Sequence, residues 1–126
     1  NQAILDSMDE AIAVFSASGV MIQHNEAYQA LWGTDPDQTL IEYTAKDAIS
    51  EWRVKSNPTP FWGDLADFIY HKTERSDWDS DIVTGSGDTV FCRISPLFGG
   101  ATLVGFSKQR EQKEQRLIPA NQSIRA

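Results

Sequence analysis

Ile12-Ala13-Val14-Phe15-Ser16-Ala17-Ser18-Gly19-Val20-Met21-Ile22-Gln23-His24-Asn25-Glu26-Ala27-Tyr28-Gln29-Ala30-Leu31-Trp32-Gly33 is the stretch that decides how this chain folds. Two short runs of apolar and β-branched residues flank a Ser-Gly turn, which is the pattern of a β-hairpin. Asn25 then stops the second strand and opens a helix. Its short side chain can accept a hydrogen bond from a free N–H of the first helical turn, as an N-cap does. Ala27, Tyr28, Leu31 and Trp32 put apolar surface on one helical face. Gly33 closes the helix, because glycine tolerates the left-handed conformation just past the last turn.

Upstream, Ile4, Leu5 and Met8 have helical spacing, so residues 2–8 read as a short amphipathic helix leading into strands at 11–16 and 20–24. Downstream of the 26–32 helix, Asp35-Pro36-Asp37 marks a turn, since proline fixes φ and lacks a donor. Leu40, Ile41 and Tyr43 suit one short helix. Thr44 with Asp47 reads as a capping pair for another, covering Ala48, Ile49 and Trp52. Asn57-Pro58-Thr59-Pro60 interrupts the pattern. Phe61, Leu65, Phe68 and Ile69 then form the best helical stripe in the chain.

Residues 78–84 alternate as a strand with Asp79 and Asp81 toward water, and Gly85-Ser86-Gly87-Asp88 is a turn. The next strand, 89–97, puts Val90, Cys92 and Ile94 on one face and Phe91, Arg93 and Ser95 on the other. Gly99-Gly100 turns the chain into a last strand at 101–107. Two strands, several helices and three strands make an α+β domain with helices packed on one side of an antiparallel sheet. Lys108 to Leu117 is almost wholly Lys, Arg, Glu and Gln, so it reads as a solvated linker helix or a disordered stretch, and residues 119–126 as tail.

The composition narrows the classes. The chain has 126 residues and 40% hydrophobic content, enough for one domain with one core. A net charge of −7 argues against nucleic acid and against anionic lipid as partners. No apolar run approaches the roughly 20 residues that span a bilayer, and no signal-peptide pattern opens the chain. Its single cysteine, Cys92, leaves no intramolecular disulfide and fits a reducing compartment. A start at Asn1 rather than Met is expected of a piece of a longer protein.

The 12–33 stretch, followed by Asp77-Trp78, Gly85-Ser86-Gly87-Asp88, Phe91-Cys92-Arg93-Ile94 and the glycine-punctuated run 99–106, resembles a PAS domain. The likeness covers residues 1–110 and is nearest to PAS domains of alphaproteobacterial sensor histidine kinases. It implies a five-stranded antiparallel sheet in the order 2-1-5-4-3 with helices on one face. Residues 1–107, with the helix at 2–8, would be the PAS domain, and 108–126 the linker helix and tail. Asn25, Tyr28, Trp32 and Gly33 carry the structural motif. Two departures stand out. Ser107-Lys108-Gln109 replaces the Asp-Ile/Val-Thr that closes the last strand in many members. Ser16 stands where many have an Asp facing the capping Asn, so its hydroxyl is expected to bond Asn25 more weakly than a carboxylate would.

Little in the chain suggests chemistry. Flavin-binding light-oxygen-voltage members carry a reactive Cys in a helical Asn-Cys-Arg-Phe-Leu type motif; Cys92 lies in a strand before Arg93-Ile94-Ser95 and reads as a small buried hydrophobe. His71 sits near a helix end among Tyr70, Lys72 and Glu74, a surface setting rather than the apolar one a haem ligand needs. His24 has no second His or Cys at metal spacing, and no metal is assigned. Asp77, Asp79 and Asp81 read as a solvated sheet edge rather than a cation site. No acid–base pair, activated nucleophile or phosphate-binding loop assembles.

By resemblance, a ligand would lie between the helices and the sheet, against Trp52, Phe61, Leu65, Phe68, Cys92 and Ile94; the competing reading has these large side chains, with Trp62, filling that space themselves. No cofactor is assigned, and haem and flavin are not expected. The resemblance implies a cytoplasmic, non-catalytic sensory and dimerisation module of a two-component histidine kinase. Its partners would be a second copy and a kinase or output domain joined at its C-terminal end. The alternatives are a haem, flavin or metabolite sensor, and a small α+β enzyme. The enzyme would need a carboxylate inside a cavity, with Asp64 and Asp67 the nearest candidates.

Overall fold

The computed structural model describes residues 9–39, 41–71 and 73–108. β1 (Ala11–Phe15) and β2 (Met21–His24) form the hairpin, and α1 (Glu26–Trp32) follows at once. A 3₁₀ turn at Pro36–Gln38 leads to α2 (Ala45–Val54) and α3 (Phe61–Tyr70). β3 (Trp78–Val83), β4 (Thr89–Pro96) and β5 (Thr102–Ser107) close the fold. All pairings are antiparallel and the sheet order is β2-β1-β5-β4-β3. This is the α+β architecture expected from the sequence pattern, with the strand order that the resemblance implies. The proposed helix at 2–8 and the linker and tail from residue 109 onward lie outside the described residues.

Local chemistry accounts for most element boundaries. Gly33 has φ 72° and donates its N–H to the Gln29 carbonyl at 2.7 Å, ending α1 as a left-handed cap. α2 begins with a complete capping box: Thr44 Oγ1 accepts from the Asp47 N–H, and the Asp47 carboxylate accepts from the Thr44 N–H. One expectation fails. Residues 41–43 are not helical, and Ile41 is 80% exposed. The chain there runs beside β2 instead: the Met21 N–H donates to the Tyr43 carbonyl, and Thr44 bridges Val20. So short a segment cannot recover the cost of nucleating a helix when sheet-edge hydrogen bonds are on offer.

The strands sort their faces as alternation requires. Ala11, Ala13 and Phe15 of β1, Val90, Cys92 and Ile94 of β4, and Val104 and Phe106 of β5 face the helices in one core. Asp79 and Asp81 on the edge strand β3 are exposed. Beyond β3, the chain leaving α2 meets the sheet edge, where the Asn57 N–H donates to the Val83 carbonyl and the Gly85 N–H to the Lys55 carbonyl. That contact covers one end of an otherwise open edge.

The opposite face carries an ion pair across the central strand. Glu10, just before β1, reaches over β5 to Arg93 on β4, with Oε1 to Nη2 at 2.8 Å and Oε2 to Nε at 3.0 Å. Gly105 lies beneath, and a Cβ there would strike the Glu10 carboxylate. The hydrogen bonds from Arg93 to Glu10 hold the guanidinium more firmly protonated than usual. We predict that Gly105→Ala displaces this pair and costs about 0.5–1 kcal/mol, since Arg93 is 41% exposed and solvent screens the interaction. In a Glu10→Ala background the same substitution becomes neutral or stabilising; a double-mutant cycle in urea measures the difference.

Candidate functional site

Asn25 is 1% exposed and joins two elements through its side chain. Oδ1 accepts from the Tyr28 N–H at 3.0 Å, capping α1, and from the Ile12 N–H at 2.9 Å, joining β1. Nδ2 donates to the Glu10 carbonyl at 2.8 Å. Its backbone N–H also donates to the Ile12 carbonyl at 3.3 Å, which carries the hairpin ladder one residue past β2. The expected bond from Ser16 to Asn25 does not form. The Ser16 hydroxyl is used in the hairpin turn, where it accepts from the Val20 N–H and pairs with Ser18.

Tyr28, three residues into the cap, leads from this node into the aromatic core. The indole N–H of Trp52 donates to the Tyr28 hydroxyl at 3.0 Å, and burial pushes that phenol well above its ordinary pKa. The Trp52 ring lies 4.9 Å from Phe106, 5.8 Å from Trp32, 6.0 Å from Trp62 and 6.1 Å from both Phe15 and Tyr28, centroid to centroid. Edge, tilted and stacked contacts of this kind add to the burial of roughly 150–250 Å² that a large aromatic ring typically brings.

The structure brings the sequence-nominated pocket residues into this one core: Trp52, Phe61, Leu65, Phe68, Cys92 and Ile94 are all buried. Burial, with Asp81 adding to it, pushes the Cys92 thiol well above its usual range. Among the described residues, the buried indole N–H groups of Trp32, Trp62 and Trp78 meet no acceptor. His71 caps α3 from an exposed position, with its N–H on the Asp67 carbonyl. Asp64 and Asp67 are exposed on α3, lining an open groove of about 400 Å³ with Glu74 and Trp78, and do not enter the core.

Sequence reasoning missed a polar knot between α1 and α2. The Glu51 carboxylate accepts from the hydroxyls of Thr34 and Tyr43 and from Lys55 Nζ, and Lys55 also donates to the Trp32 carbonyl at the end of α1. Burial would raise the Glu51 pKa, but the bonds from Thr34, Tyr43 and Lys55 outweigh it and hold the carboxyl below its ordinary value. Burial and the bond to Glu51 push the Tyr43 phenol up. Only the Glu51–Lys55 spacing of four could have signalled this cluster in advance.

No family model matches the chain. Its structure is similar to the PAS domain of BvgS from Bordetella pertussis, with a TM-score of 0.60 at 18% identity over 97% of this chain and 94% of that one. It is similar to the photoactive yellow protein domain of the sensor histidine kinase Ppr from Rhodospirillum centenum, with a TM-score of 0.59 at 13% identity over 85% and 92%. The PAS domain of nitrogen regulation protein NR(II) from Vibrio parahaemolyticus gives 0.55 at 14% identity over 84% and 94%. The chain therefore has the PAS fold. In sequence it is 24% identical over 124 residues to the sensor protein DivL of Caulobacter vibrioides, covering 97% of this chain and 16% of that protein's length.

Two expected outcomes follow from this site. Asn25→Ala removes a helix cap and strands the buried Ile12 N–H and Glu10 carbonyl, so chemical denaturation reads a loss of roughly 3 kcal/mol. Glu51 contributes stability that is complete above the ordinary carboxylate value of 4.5 and is lost as the pH falls through its lowered folded value. Denaturation midpoints measured below pH 4.5 therefore fall less steeply in Glu51→Gln than in the parent chain.

Proposed function

We propose that this chain is a non-catalytic sensory and dimerisation module of a two-component histidine kinase, cytoplasmic in location. It would relay partner or ligand binding to an output domain joined at its C-terminal end. Residues 1–107 would form the module and 108–126 the linker helix and tail. The observation that carries the reading is the apolar strip on the sheet face away from the helices. Ile12 and Val14 of β1 belong to that face by alternation and are buried, at 0% and 4% exposure, and Val14 pairs with the half-buried Leu103 of β5. An apolar strip of this kind, with Ile4, Leu5 and Met8 as further apolar residues upstream in the sequence, suits a two-fold pairing of copies.

The relay has a simple route. β5 pairs with both β1 and β4 and ends at Ser107, so a shift in sheet packing reaches the exit segment directly. Among the described residues no helix is long and apolar enough to cross a membrane. The likeness to DivL, itself called a sensor protein, supports the sensory reading for a stretch spanning about one sixth of that protein. The unpartnered indole N–H groups of Trp32, Trp62 and Trp78 favour a second reading, a bound small ligand offering acceptors to them.

Sedimentation velocity across a concentration range, recorded at ultraviolet and visible wavelengths, tests both readings. A dimer that Leu103→Glu weakens at least tenfold is expected; a strict monomer at the highest concentration overturns the dimerisation reading. Visible absorbance sedimenting with the protein would instead identify a coloured ligand.

A further inference from the structure

We propose that His24, Asp35 and Asp37 form a binding site for a divalent first-row transition metal ion, with Zn²⁺ as the reference cation. The folded chain brings together what the sequence separates. His24 ends β2, and the two aspartates flank Pro36 in the turn after α1. His24 Nε2 lies 3.3 Å from Asp37 Oδ1 and 4.0 Å from Asp35 Oδ1, and the three ligand atoms all lie within 4.8 Å of one another. Bonds of about 2.0–2.2 Å to nitrogen and oxygen place neighbouring ligands of a tetrahedral ion roughly 3.3–3.5 Å apart. The Asp37 separation already matches, and the Asp35 separation needs to close by well under about 1 Å for the same geometry.

The donor types and their surroundings fit such an ion. One imidazole and two carboxylates suit Zn²⁺, Mn²⁺ or Fe²⁺ better than Ca²⁺ or Mg²⁺, which favour all-oxygen shells. Two carboxylates also balance the charge of one divalent cation beside a neutral imidazole. Asp35 is held in place: Oδ1 accepts from the Asp37 N–H at 3.0 Å and from Gln29 Nε2 at 3.3 Å, while Oδ2 accepts from Gln38 Nε2 at 3.3 Å. Partners of this kind orient a metal-binding carboxylate before the ion arrives. The His24 side chain is only 11% exposed and therefore fixed, whereas Asp37 is 80% exposed. Asp37 and His24 line a groove of about 330 Å³ with Glu42 and Tyr43, leaving room for water or a further ligand on the metal. Among the described residues this is the one group of three such side chains within ligand reach of each other.

Occupancy would pin the end of β2 to the turn after α1, one residue from the capping Asn25 and with the His24 ring 5.9 Å from Tyr28. Calorimetric titration of the chelator-stripped, 126-residue chain with zinc chloride at neutral pH tests the proposal. We expect saturable binding of one ion in the micromolar range. Asp37→Ala should weaken it by roughly tenfold or more while leaving the melting curve in chelator unchanged, because that carboxylate is mostly in solvent. Zinc should also shift the ¹⁵N-edited resonances of His24, Asp35 and Asp37. Absence of saturable binding up to millimolar zinc, or equal affinity in Asp37→Ala, would reduce the cluster to an ion pair and overturn the site.

Discussion

The buried amide of Asn25 is the constraint on which the rest of this structure depends. A helix start leaves free N–H groups, and a strand start leaves groups needing a partner in the sheet. Asn25 meets both needs by accepting from Tyr28 and Ile12 with one oxygen and donating to the Glu10 carbonyl with its nitrogen. No other side chain of similar size offers both an acceptor and a donor at that span. The angle between the hairpin and α1 is thereby set, and with it the line along which Tyr28 and Trp32 enter the core.

From that angle the aromatic core follows. Tyr28 and Trp32 meet Trp52 from α2, which in turn touches Phe15 of β1 and Phe106 of β5. Removing a ring of this kind from a packed core typically costs about 3–5 kcal/mol, whereas an exposed ion pair contributes about 0–1 kcal/mol. Cohesion between helices and sheet therefore rests on the aromatic cluster. The Glu10–Arg93 pair, partly in solvent, contributes register and a reason for Gly105 more than stability. The Glu51 knot acts elsewhere, tying Thr34, Tyr43 and Lys55 together where the chain between α1 and α2 has little apolar surface to hold it.

Elements whose cause is local are legible in the sequence. α1 and its caps, the capping box of α2, the apolar stripe of α3 and the inward face of β4 all come from contacts within a few residues. The segment at 41–43 misleads because its apolar residues fit a helix in isolation, while the competing partner, β2, lies some twenty residues away. Ser16 falls short of Asn25 because its hydroxyl is closer to the turn it sits in, a geometry that resemblance alone does not convey. The core positions of Trp52, Leu65, Phe68 and Ile94 are readable from periodicity. The tight ring packing around Trp52 is not, since it involves five elements.

Periodicity, caps and glycines in the amino-acid sequence were enough to determine an α+β chain of two strands, helices and three strands, because each of those signals acts over one or two turns of backbone. Tertiary structure alone decided which distant groups became neighbours. Glu10 meets Arg93 across β5, Glu51 gathers partners from residues 34, 43 and 55, and His24 comes within ligand distance of Asp35 and Asp37. Such encounters depend on the angles at which whole elements pack, and no short window of residues contains that information.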